Sequence, residues 1–385
     1  MSFRYPSGII KPGFDPLDEP ATITVYDRLY SWGNQENGRL GEPPGNYNYK
    51  RSSPLQVGAL TTWSENTSGY GHNLAIKSDG TLWAWGKNNN GQLGLGNTTN
   101  YSSPKQIGAL TTWSKIAAGP GGGSDFSLAI KTDGTMWSWG SNYFGGLGLG
   151  NVADRSSPVQ VGALTDWSKI AAGNLHTIAV KTDGTLWSWG RNSDGQLGDG
   201  TTTYRSSPVQ VGALTTWSKI ESGEGHNLAI KTDGTLWSWG KNSYGQLGDG
   251  DVGYGNHKSS PVQIGALTTW DKMSCGSTFS LAIKTNNTLW SWGQNNNGKL
   301  GDGTTTYRSS PVQVGALTTW SKIESGEGHN LAIKTDGTLW SWGLNSDGQL
   351  GDGTTTYRSS PVQVGGETTW DKISPGFYHS IAISW

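Results

Sequence analysis

The chain has 385 residues and a formal net charge of −1, with Lys and Arg spread evenly, so no basic stripe stands ready for nucleic acid. Gly (59) and Trp (21) are over-represented while the hydrophobic fraction is only 33%. That composition suits many short strands and tight turns around a few large aromatic rings. No stretch approaches the roughly 20 apolar residues of a membrane span, and the N-terminus lacks a signal-peptide h-region. The expectation is a soluble protein with no membrane partner, in the cytoplasm of the producing cell. Cys275 stands alone and sets up no disulfide framework.

In chain order the first element is an arm, residues 1–21, carrying Pro6, Pro12, Pro16 and Pro20. Spaced prolines predict extended backbone. Phe3, Tyr5, Ile9, Ile10, Phe14 and Leu17 give the arm apolar groups that need a surface, either the side of its own domain or a neighbouring subunit.

Residues 22–385 read as one domain built from a repeat marked by Trp-Gly. Trp32, Trp85, Trp139, Trp189, Trp239, Trp292 and Trp342 each precede Gly, at spacings of 53, 54, 50, 50, 53 and 50. The surplus residues fall between Gly41 and Pro54, in the Pro120 to Ser124 loop, and between Gly248 and Pro261. A period near 50 without helical patterning predicts one four-stranded propeller blade per repeat. In the unit from Trp189 to Trp239, strands are expected at Leu186–Trp189, Pro208–Val211, Trp217–Ile220 and Leu228–Lys231. The first of these alternates so that both Trp rings share a face. Asp233-Gly234 predicts a type I′ hairpin, which places the fourth strand of one repeat and the Trp strand of the next in a single blade.

The last copy, Ser380 to Trp385, stops where that hairpin would begin, and the first Trp strand, Leu29 to Trp32, has no complete repeat before it. These two are expected to pair. The fold class is therefore all-β: a closed seven-bladed β-propeller, four strands per blade, with the N-terminal strand completing the C-terminal blade. Residues 197–250 and 300–353 differ only at Lys241/Leu344 and Tyr244/Asp347, which points to recent duplication.

Candidate chemistry is thin. His72, His176, His226, His329 and His379 occupy one repeat position, but Phe126 and Phe279 take it in the other copies. A position shared with Phe packs a ring; it does not hold a metal. The Asp-rich turns lack the ligand pattern of an EF-hand. No Gly-x-Ser-x-Gly elbow or phosphate loop is present. The reading is a non-enzyme with no catalytic residues, no metal and no cofactor. Binding residues are sought where near-identical copies differ. The positions after Trp-Gly and three residues further supply Lys87, Phe144, Arg191, Lys241, Tyr244 and Leu344. The longer loops add Tyr47, Tyr49 and Tyr254. These are the candidate protein-binding loop tips, expected as a ring on one face.

Trp189 to Gly198, Ser207 to Val211 and Gly223 to Ile230 resemble the repeat of the regulator of chromosome condensation family, across about residues 29–385. The resemblance implies a seven-bladed propeller. Its members include a nucleotide-exchange factor for a small GTPase, a protein inhibitor of β-lactamase and a plant ultraviolet-B photoreceptor. The Gly-Trp-Arg-His-Thr motif of the photoreceptor is replaced by Gly-Glu-Gly-His-Asn at Gly223 to Asn227. The wedge insertion and basic tail of the exchange factor have no counterpart in the sequence. Gly8 to Leu17 resembles N-terminal segments of virion structural proteins of marine bacteriophages. That second resemblance implies a virion decoration or appendage protein, anchored by its arm to capsid or tail subunits and displayed at the virion surface. The alternative is an intracellular regulatory propeller that binds an enzyme or small GTPase, as exchange factor or inhibitor.

Overall fold

Each repeat begins a strand with Trp, alternates, and breaks at Gly or at an Asp-Gly pair, so strands of five or six residues follow one another with tight connections. The computed structural model describes residues 27–42, 49–119, 121 and 125–385. The anchoring-arm residues and Tyr47 lie outside them. Seven antiparallel sheets of four strands form the ring. Blade 4 shows the plan: Trp217–Ser222 is innermost, followed outward by His226–Lys231, Leu236–Gly240 and Lys258–Gln263. Blades 1, 2 and 3 span 63–106, 113–160 and 167–210. Blades 5 and 6 span 270–313 and 320–363.

Blade 7 is the closure. Arg28–Asn34 pairs antiparallel with His379–Ser384, with Leu29 opposite Ile383 and Trp32 opposite Ser380. The N-terminus supplies two strands, because Lys50–Thr61 then pairs with Arg28–Asn34 as the outer edge. Trp370–Pro375 and His379–Ser384 supply the inner two.

The core lies between blades. Trp217, Ile220, Ala229 and Trp239 of blade 4 pack on Ile178, Val180, Leu186 and Val211 of blade 3. Both Trp rings of the Trp strand do share this face: Trp237 lies edge-on to Trp217 and Trp239 tilted against it, with centroids at 5.9 and 6.2 Å. Trp239 is fully buried, and rings of this size contribute on the order of 2–3 kcal/mol each on burial. Trp237 is capped at the surface by Lys231, whose Nζ sits 3.5 Å from its ring centroid.

The Asp-Gly hairpin differs from the expected type I′. Only Gly234 has positive φ (+77°), and Gly234 N–H donates to the Lys231 carbonyl at 3.0 Å while Lys231 N–H donates to the Thr235 carbonyl. The loop is therefore three residues, a turn closed by Gly in the left-handed region. Asp233 earns its place differently: its Oδ1 accepts from both the backbone N–H and the hydroxyl of Thr235, and Trp237 Nε1 donates to that hydroxyl.

The Asn-x-x-Gly-Gln-Leu-Gly run is an inter-blade clamp. Asn192 Oδ1 accepts from Leu197 N–H, and its Nδ2 donates to the carbonyls of Thr201 and Thr203, fixing the loop. The loop then lies on the next blade, where Trp239 Nε1 donates to the Gln196 carbonyl at 3.0 Å. Gly198 has φ +71°, and a Cβ there would stand 2.8 Å from Trp239 Nε1. Gly198→Ala is expected to lower the unfolding free energy by more than about 1 kcal/mol, read from the urea midpoint at unchanged m-value.

Candidate partner-binding face

The strand directions divide the connections between two faces. One face carries the loops between third and outer strands, together with the Gly-x-x-His connections between first and second strands. The other carries the Asp-Gly hairpins and the links between blades. The described loop-tip residues belong to the first face, but they differ in how free they are.

Lys87 is spent on Asp125, at 2.9 Å, and stands 5.2 Å from the Tyr70 ring centroid. Lys241 pairs with Glu224 at 3.2 Å. Leu344 lies against Gly328, where an added Cβ would come within 3.2 Å of its own Cβ. Tyr49 is half-buried and gives its hydroxyl to the Glu42 carboxylate, which also holds Arg51, so it does not stand free as the loop length suggested. Arg191 reaches Asp194, which also faces His257 Nε2 at 3.6 Å, linking the loops of blades 3 and 4.

The aromatic tips come together. Phe144 on blade 2 contacts Tyr143 (4.7 Å) and Tyr204 of blade 3 (5.5 Å), both edge-on. Tyr244 on blade 4 meets Tyr307 of blade 5 at 5.9 Å. Tyr143 and Tyr254 are 73% and 78% exposed, far more than the blades require. Sequence reasoning missed Tyr143, Tyr204 and Tyr307. Tyr204 and Tyr307 belong to the repeated Thr-Tyr-Arg run, and attention to varied positions alone filtered them out. Tyr143 stands where other copies have Ser, Asn or Glu, and it was legible by the same test that found Phe144. A second aromatic group lies on this face at the blade 7 to blade 1 seam, where Phe377 contacts Tyr70 (4.5 Å) and Tyr378 (4.3 Å).

The opposite face presents leucines one at a time. Leu60, Leu110, Leu164, Leu214, Leu267 and Leu317 sit at successive links between blades, 39–49% exposed, with Glu367 at the seventh. Single exposed leucines are ordinary on protein surfaces, whereas aromatic rings in mutual contact form a patch.

The histidine register is structural. All five rings are fully buried and each Nε2 reaches the next blade: His226 to Ser280 Oγ at 3.0 Å, His176 to Asn227 Oδ1 at 2.8 Å, His379 to Asn73 Oδ1 at 2.7 Å. Ser280 gives its own proton to the Gln246 carbonyl, so His226 Nε2–H is the donor and Nδ1 is bare. Gly223 makes room for this ring, since a Cβ there would lie 2.6 Å from it. Burial pulls His72 and His176 down to about 4 and His226 and His329 to about 3, and it pulls His379 down as well.

The Asp-rich turns hold protein groups: Asp199 takes Thr201, Asn192 and Arg205. Among the described residues no group of three or more His, Cys, Asp or Glu is arranged to hold a metal ion. No helix of the described residues is long and apolar enough to cross a membrane. Lys299, at the Gln position of the clamp, is buried over the Phe279 ring with its amine on Gln294 Oε1, and burial lowers it to about 8.

A ring closed by pairing of its N- and C-terminal strands defines a repeat-built seven-bladed β-propeller. The chain belongs to the RCC1-like domain family: the model of that domain matches residues 163–384, and the regulator of chromosome condensation (RCC1) repeat matches 79–130 and 133–180. It is similar to the ultraviolet-B receptor UVR8 of Arabidopsis thaliana, 33% identical over 153 residues (39% of this chain, 34% of that protein). It also resembles the human X-linked retinitis pigmentosa GTPase regulator, 31% identical over 146 residues (37% of this chain, 14% of that protein). The chain thus spans about a third or less of the length of these relatives. Among solved structures, Prp20p of Saccharomyces cerevisiae superposes with a TM-score of 0.83 at 21% identity, covering 94% of this chain and 92% of that one. Human WBSCR16 superposes at 0.82 with 22% identity, covering 93% and 98%. At these identities the likeness shows the fold.

Proposed function

We propose that this chain is a non-enzymatic regulatory propeller that holds a protein partner on its loop face, across blades 2 to 5. The observation carrying this reading is the meeting of Phe144 with Tyr143 and Tyr204, and of Tyr244 with Tyr307, with Tyr254 exposed on the long loop of blade 4. Rigid aromatic side chains supply contact area at low entropic cost, and they are enriched where interfaces concentrate their energy. Arg191, Lys241 and Lys87 frame the patch with paired charges that fix orientation more than affinity.

The relatives support a regulatory partner of the enzyme or small-GTPase kind: one is named a GTPase regulator, and the structure of Prp20p was described with its binding to Gsp1p and histones. They favour this reading over a virion role, whose arm residues Phe3, Tyr5, Ile9, Ile10, Phe14 and Leu17 lie outside the described residues.

The test is affinity capture from the source organism, followed by a binding isotherm with the purified partner. Tyr143→Ser, Phe144→Ser and Tyr244→Ser together are expected to weaken that isotherm at least 100-fold, since anchors of this kind cost about 1–2 kcal/mol or more each on truncation. Unchanged affinity, or loss of binding on Leu164→Ser and Leu214→Ser instead, would move the site to the opposite face.

A further inference from the structure

The innermost strands place one residue per blade at the mouth of the central channel on the hairpin face, opposite the loop patch. Six of the seven are lysines: Lys115, Lys169, Lys219, Lys272, Lys322 and Lys372. Glu65 is the seventh. The blade does not require lysine here, since Glu65 is accommodated in the same strand register. The neighbouring residue two places on has diverged between copies, reading Ala117, Ala171, Glu221, Ser274, Glu324 and Ser374, while the lysine has been kept.

These side chains line a cavity of about 610 Å³, within the usual range of about 300–1,000 Å³ for small-molecule sites. Below them Ile116, Ile170, Ile220, Met273, Ile323 and Ile373 form an apolar collar, and a low-dielectric wall strengthens the field of the charges above it.

The ring is only partly neutralised. Lys219 and Lys272 share Asp271, Lys322 meets Asp371, and Lys372 meets Glu65 at 3.1 Å. On blades 2 and 3, Lys115 and Lys169 have no carboxylate within 4.0 Å among the described residues; the Lys115 amine rests on the Ser168 carbonyl. Burial, and after it the like charge of Lys169, lower the Lys115 amine below its ordinary value, while Glu65 acts on it in the opposite sense without pairing to it. Burial pushes the Glu221 carboxyl, deeper in the channel, up to about 8 and raises Glu324 as well, which disfavours negative charge beneath the mouth.

We propose that this mouth binds a small molecule carrying two or more phosphate groups, seated on the Lys115–Lys169 arc and reached by the flexible amines of the remaining blades. Lysines on mobile stems act as point-charge donors that suit phosphate oxygens from several directions. The recessed, radial arrangement excludes a flat protein surface.

The experiment is calorimetric titration of the full chain with inorganic tripolyphosphate at low and at physiological salt. Saturable one-to-one binding is expected, weakening as salt rises. Lys115→Ala with Lys169→Ala is expected to reduce affinity at least tenfold, while Lys105→Ala, on an exposed outer strand, leaves it unchanged. Glu65→Lys, which completes the ring and frees Lys372, is expected to tighten binding severalfold; a gain cannot come from misfolding. Absence of saturable heat, equal affinity for monophosphate, or equal weakening by the Lys105 control each overturns the proposal.

Discussion

Lowering the pH from 7 to 4 is expected to unfold the propeller in a steep, cooperative transition. The five buried histidines are neutral in the fold, with His72 and His176 at about 4 and His226 and His329 at about 3, against about 6.5 when unfolded. A depressed folded pKa contributes stability that is fully present above the unfolded value and is lost as pH falls below it, because only the unfolded chain takes up the proton. Glu221 and Glu324 act the other way. Their folded pKa is raised, so on acidification the fold takes up protons on these carboxyls before the unfolded chain does, which offsets part of the histidine effect. Five histidines outnumber the two carboxyls, so unfolding takes up a net excess of protons between about 6 and 4.5, at about 1.4 kcal/mol per pH unit for each proton of that excess. Set against a typical stability of about 5–15 kcal/mol, an excess of a few protons over two pH units is a loss of the same order.

Urea midpoints measured from pH 7.5 to 4.5 check this slope. Each His→Phe change has a precedent in the ring at Phe126 or Phe279 and is expected to flatten the slope by about 1.4 kcal/mol per pH unit. Glu221→Gln with Glu324→Gln is expected to stabilise at pH 7.5 and to steepen the acid slope. A slope indifferent to the histidines would show that their burial does not govern acid stability.

Removing residues 1–61 is expected to abolish the monomeric fold. Blade 7 would keep only Trp370–Pro375 and His379–Ser384, leaving the edge of the latter unpaired. The loss reaches both neighbours. Trp32 leaves the cluster with Leu331, Ile333, Leu339 and Val364 of blade 6, while Leu29 and Val57 leave the one with Trp63 and Trp85 of blade 1. Deleting buried side chains of this size costs about 2–5 kcal/mol apiece, so three exceed what most domains can lose. Gel filtration and tryptophan fluorescence should report aggregation or a non-cooperative state, and adding a peptide of residues 27–61 should restore the monomer.

A circular permutant separates topology from sequence content. Ser384 lies opposite Arg28 in register, so joining them through Thr-Asp-Gly and opening the chain before Trp63 gives blade 7 the hairpin that other blades possess. That variant is expected to fold with at least the parent stability. If the truncated chain instead melted like the full one, closure would be dispensable.

The number of blades, the strand order within each and the pairing of the termini were legible in the sequence. Alternation along a strand and the break at Asp-Gly are local properties, and seven near-copies state them repeatedly. The hairpin type escaped because Asp-Gly serves two turn geometries, and the choice rests on hydrogen bonds from Lys231 and Thr235 that composition does not reveal. The two-strand N-terminal share of blade 7 followed from the same register once Lys50–Thr61 took the outer edge.

What only the tertiary structure decided is the fate of charged and aromatic groups that separate loops and blades bring together. Lys87 and Lys241 read as free tips, yet each finds a carboxylate, while Tyr204 reads as repeat furniture and lies against Phe144. The lysines after Trp-Ser or Trp-Asp look like ordinary solvated residues of an inner strand, and only ring closure gathers six of them around one opening. Local pattern sets which way a side chain points from its strand. The curvature of the closed ring sets what it meets there.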